Sequence, residues 1–78
     1  MPSNNINMMS IPELDKAKVK LTALQETWDI VDSLIPKETI REVDKYKKIH
    51  LRATQFIIQS HIDVTEAEIE SIEKESAD

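Results

Sequence analysis

Arg41, Lys45, Lys48 and Arg52 follow one another at spacings of four, three and four, and Gln55 and Gln59 continue the line. On a helix such positions share one face, so four cations and two amides form a strip able to meet anions. Two kinds of anion suit it: nucleic-acid phosphate, or acidic protein, including this chain's own Glu66, Glu68, Glu70, Glu73 and Glu75. The other reading is a plainly solvated charged face. Like charges at these spacings repel by roughly 0.2–0.5 kcal/mol per pair, and Glu38, Glu42 and Asp44 lie within reach of Arg41, Lys45 and Lys48 to relieve them. Free nucleic-acid binding is disfavoured by a net charge of −5 and an acidic end. Counterion release needs several phosphates to be neutralised, and the tail competes for the same cations.

His50 and His61 share a face but stand about three helical turns, or ~16 Å, apart, so one metal cannot join them within a chain. Opposed in an antiparallel pair of chains they could meet; as half-buried, hydrogen-bonded residues they need no metal. The chain has no cysteine and no glycine, which removes thiol nucleophiles and phosphate-cradling glycine loops. Ser60 and His61 are adjacent, and neighbours on a helix do not face each other. No spacing suits a zinc or di-iron centre. The expectation is a non-enzyme without cofactor or metal.

What must position these residues is helix. Glycine is absent and asparagine stands only at positions 4, 5 and 7, so the residues that favour hairpin turns are missing where strands would need them. The chain reads as all-α, one small domain of 78 residues. Leu14, Ala17, Leu21, Leu24, Trp28, Val31 and Ile35 keep the three–four alternation of a heptad seam up to Ile35-Pro36, where proline forces a break. Ser10 with Glu13 forms a capping box that starts this helix, with Pro12 in its first turn. Residues 1–9 read as a flexible arm and residues 10–62 as a helical hairpin. The second helix starts at Pro36, or at Thr39 with Glu42 as capping partner. Residues 63–78 read as an acidic segment whose seven acids face one lysine. Thr65 with Glu68, and the Val64–Ile69 staple spacing, point to a short third helix from Glu66 to about Lys74. A continuous face of Ile58, Ile62, Thr65, Ile69 and Ile72 is the competing pattern.

Apolar surface wraps far around both helices. The first carries a second stripe of Val19, Ala23, Ile30 and Leu34. The second has Ile40, Val43, Leu51, Ile57, Ile58 and Ile62 on one face, extended by Tyr46, Ile49, Ala53 and Phe56. A two-helix hairpin needs one stripe per helix; the remainder calls for a second copy, most simply in a four-helix homodimer. Trp28 is an anchor at a partner interface or a core residue. Lys47 and Thr54, set within apolar surface, are candidates for fixing register.

The expected function is protein–protein interaction by a small cytoplasmic regulator, adaptor, inhibitor or assembly factor of the kind bacteria and phages carry. It would bind itself, as a homodimer or higher, and an unidentified protein. The interface residues are Leu14, Ala17, Leu21, Leu24, Trp28, Val31, Ile35, Tyr46, Ile49, Ala53 and Phe56. The partner strip is Arg41, Lys45, Lys48 and Arg52. The alternative is a nucleic-acid-binding helical module using that strip. No membrane association is expected, since the longest apolar run, Phe56-Ile57-Ile58, is far short of the ~20 residues a span requires.

Overall fold

The computed structural model describes the backbone of residues 2–77 and the side chains of residues 12–75. The described residues form two helices and no strand: α1 (Pro2–Leu34) and α2 (Glu42–Ala77), joined by residues 35–41 into an antiparallel hairpin. The hairpin is a thin rod of 65 × 15 × 12 Å with a radius of gyration of 18.3 Å. A compact chain of this length would have about 11.5 Å.

The seam of α1 faces α2. Ala17 and Val31 are buried, and Leu14, Leu21, Leu24, Trp28 and Ile35 are half-buried. Val31 packs with Ile58 and Ile62, flanked by Leu21, Leu24, Trp28 and Leu51. The reversal falls at Ile35-Pro36 as the proline dictates. The Ile35 N–H donates to Asp32 O at 3.2 Å, tightening the last turn.

Four expectations are corrected. First, the backbone of α1 runs through Ser10 and Pro12, so the capping box does not mark its start. Pro12 lacks the N–H for one internal bond and its ring crowds the carbonyl one turn back, a local cost of about 3 kcal/mol that α1 bears near its start. The side chains of residues 1–9, read as an arm, lie outside the described residues.

Second, α2 starts at Glu42. Arg41 is the flanking residue, and its carbonyl accepts from the N–H groups of Asp44 and Lys45 at 3.1 and 3.2 Å. Proline at 36 ends one helix without beginning the next.

Third, there is no third helix: α2 is continuous from Glu42 to Ala77. Thr65 is fully buried, and its hydroxyl donates to His61 O, one turn back, at 2.7 Å. A threonine satisfied in this way is an internal helix residue and not a cap. Ile58, Ile62, Thr65, Ile69 and Ile72 extend the seam, and packing against α1 overrides the β-branched cluster's low helix propensity.

Fourth, the apolar face proposed for α2 divides in two. Leu51, Ile58 and Ile62 face α1, while Ile40 (in the connection), Val43 and Ile57 are exposed. The seam of α2 runs Asp44, Lys48, Leu51, Gln55, Ile58, Ile62, Thr65, Ile69, Ile72, at strict spacings of four and three. Gln55, assigned to the solvent-facing strip, is 4% exposed.

Candidate interaction surface

Gln55 is the polar centre of the interhelix seam. Its Nε2 donates to Trp28 O at 3.3 Å and to Asp32 Oδ1 at 3.1 Å, and its Oε1 accepts from the Arg52 guanidinium at 2.8 Å. Arg52 completes the ring by reaching Asp32 at 3.2 Å. Among the described residues no buried side-chain polar atom lacks a partner, so this layer crosses the apolar seam fully bonded.

The strip of cations is largely occupied by carboxylates. Arg41 donates to both oxygens of Asp44, at 2.9 and 3.2 Å. That hydrogen bond is the main cause of the lowering of the Asp44 carboxyl below its ordinary value of 3.8 and of the rise at Arg41. Asp44 also sits in the first turn of α2, where a negative charge complements the helix dipole. Lys45 pairs with Glu42 at 3.3 Å, as its spacing suggested. Asp44 serves Arg41 and not Lys48. Lys48 lines a shallow cleft of about 610 Å³ beside the connection, with Lys37, Arg52, Asp32 and Pro36. Gln59 turns to Asp63 at 3.0 Å.

The remaining sequence-derived positions lie outside the seam. Tyr46, Ile49 and Phe56 are 65%, 66% and 75% exposed, and Ala53 is exposed beside them. Lys47, Thr54, His50 and His61 are also exposed; the Thr54 hydroxyl donates to His50 O at 2.9 Å. Among the described residues no group of three or more His, Cys, Asp or Glu side chains is placed to hold a metal ion. None of the described helices is long and apolar enough to cross a membrane.

At 100° per residue the exposed apolar residues of α2 fall within a broad arc of about 140° on the side away from the seam. Tyr46, Ala53 and Ala67 lie about 180° from the seam, with Ile49 and Phe56 to one side and Val43, Ile57 and Val64 to the other, and each is exposed. Charged and polar residues flank them: Lys45, Arg52, Gln59 and Glu66 along one edge, Lys47, Thr54, His61 and Glu68 along the other. On α1, Val19, Ala23, Ile30 and Leu34 make a shorter exposed stripe that also points away from the hairpin seam. Trp28 lines a groove of about 300 Å³ between the helices, with Gln25, Asp29, Gln59, Ile62 and Glu66.

Sequence reasoning found Tyr46, Ile49, Ala53 and Phe56 but missed that they lie apart from the face of α2 that packs on α1. The signal was present in the four–three spacing from Leu51 to Ile72, obscured by the polar Gln55 and Thr65. No protein-family profile, curated protein or solved structure matches this chain.

Proposed function

We propose that this chain is a small non-catalytic protein–protein interaction module, working as a regulator, adaptor, inhibitor or assembly factor through the outward apolar faces of its helices. The observation that carries this reading is the α2 stripe. Isolated exposed apolar residues are ordinary, but an arc of them opposite a satisfied seam marks a binding surface. The chain exposes 6377 Å², against about 4,900 Å² for a compact protein of its mass. The excess of about 1,500 Å² on one chain is more than the ~800 Å² that each partner buries in a standard interface.

Self-association as a homodimer or higher assembly belongs to this reading. A closed four-helix bundle around one core asks for apolar residues beside the seam. Lys45, Arg52, Glu66, Lys47 and Glu68 stand there instead, and the second stripe lies at the back, so a layered pairing of hairpins fits better. Charge along the helix edges would then select partners and orientation.

The nucleic-acid reading has less support, because Arg41, Lys45 and Arg52 each have a carboxylate partner. Exposed pairs of this kind are weak, so a titration decides. The parent chain is expected to show no salt-sensitive binding to DNA or RNA at low salt. Binding that disappears when Arg41, Lys45, Lys48 and Arg52 are changed together to Gln would replace the interaction reading.

The interaction reading is tested with Ile49→Glu/Phe56→Glu, which alters exposed side chains and leaves the hairpin seam intact. Parent and variant are used as bait in native-host lysate and compared by sedimentation. The expected result is unchanged helix content with loss of both self-association and captured protein. The same species and the same captures for both chains would defeat it.

A further inference from the structure

We infer that the occupant of the α2 outward face is a second copy of the same chain, lying antiparallel, with Phe56 and Ile57 at the two-fold axis. This rests on the interaction reading above and specifies its partner. The face is long enough: Tyr46 to Ala67 spans ~31 Å of helix at 1.5 Å per residue. Aligned antiparallel with Phe56 beside Ile57 of the second copy, the central outward positions match as well, Val43 alone falling opposite a charge, Glu70. Tyr46 meets Ala67, Ile49 meets Val64, and Ala53 meets Ser60, each large side chain facing a small or medium one. Every contact occurs twice, as an isologous interface requires.

Charge fixes the direction. The first half of α2 is cationic on both edges (Lys45, Arg52, Lys47) and the second half anionic (Glu66, Glu73, Glu68, Glu75). In an antiparallel pair, like edges run alongside each other. Lys45 then falls within two residues of the level of Glu66 of the second copy, and Lys47 within two residues of Glu68. His50 comes beside Asp63. A parallel pair would set Lys45 against Lys47 of the second copy and Glu66 against Glu68, which is repulsive at both ends. The partners that Lys45 and Arg52 have within the chain are exposed and do not prevent these contacts.

The arrangement also accounts for the edges. Lys45, Arg52 and Glu66 border the outward apolar residues on one side and Lys47 and Glu68 on the other, while Glu42, His50, Asp63 and Glu70 interrupt them near the ends and past the middle. Tyr46, Ile49, Ala53 and Phe56 keep the three–four spacing of a coiled-coil seam, which Ser60 and Asp63 continue as polar positions. No comparable length exists on α1, where Lys18, Thr22 and Glu26 stand among Val19 and Ala23.

The test uses charge exchange and introduced cysteines, the parent having none. Lys45→Glu/Lys47→Glu and Glu66→Lys/Glu68→Lys are each expected to weaken self-association at least tenfold in sedimentation equilibrium. An equimolar mixture should recover it, because each chain then presents the complement of the other. Ala53→Cys and Ser60→Cys chains are expected to cross-link when mixed and to resist cross-linking alone, the like positions being seven residues out of level. Cross-linking of either chain with itself at the level of the mixture, or no recovery in the charge-exchanged mixture, overturns the antiparallel dimer. A parent chain that stays monomeric at several hundred micromolar overturns it too. If that monomer still captures another protein through Phe56, the interaction reading survives; if Ile49→Glu/Phe56→Glu changes no capture, both fall.

Discussion

Replacing Gln55 by Leu removes a buried amide without leaving an orphan, because Asp32 keeps Arg52 and the Trp28 carbonyl lies within α1. Stability should stay within about 1 kcal/mol of the parent in urea denaturation. Gln55→Leu should instead loosen the pairing of the helices, since a bonded polar layer penalises slipped registers that an apolar layer tolerates. Paramagnetic broadening between the helices would report it. Asp44 gives a pH prediction. Its carboxyl is held below the ordinary 3.8 by the Arg41 hydrogen bond, so its contribution is complete above that range and is lost as pH falls through the lowered native value. Residues 42–48 should therefore loosen on acidification below about pH 4, and Asp44→Asn should remove that part of the pH response in amide chemical shifts.

At the scale of elements, the continuity of α2 is the feature with the largest energetic consequence. Thr65→Pro places a proline in mid-helix and should cost about 3 kcal/mol or more, with loss of helicity beyond it; a cap at that position would have tolerated the change far better. Ile62→Ala opens the centre of the seam and should cost about 2–3 kcal/mol in thermal or urea unfolding. Much of this level was readable from residue order. The α1 seam from Leu14 to Ile35 and the break at Pro36 follow from spacing and from proline's missing donor. The α2 seam was harder to see because Gln55 and Thr65 are polar by type and buried by context. Their bonds to Trp28, Asp32 and His61 exist only once the chain has folded. The same blindness placed Gln55 and Arg52 on an open strip, when one is enclosed and the other tied to Asp32.

For the whole molecule, the proposed self-association would link stability to assembly. In the proposed dimer the outward apolar area of the two-helix rod gains cover from the second chain, so the melting temperature should rise with protein concentration. Ile49→Glu/Phe56→Glu should abolish that dependence while the hairpin's own helicity persists, as circular dichroism across a hundredfold dilution would show.

The stripes on α1 and α2 look in opposite directions. Whatever occupies one side therefore leaves the other sterically vacant, and two occupants need not compete. Joined back to back through α2 as proposed, a pair of chains would offer its two α1 stripes on opposite outer walls and would act as a spacer with two grips. A bivalent particle of that kind gathers two identical targets, or holds one symmetric target at both ends, with avidity set by the fixed distance between the grips and not by the strength of either.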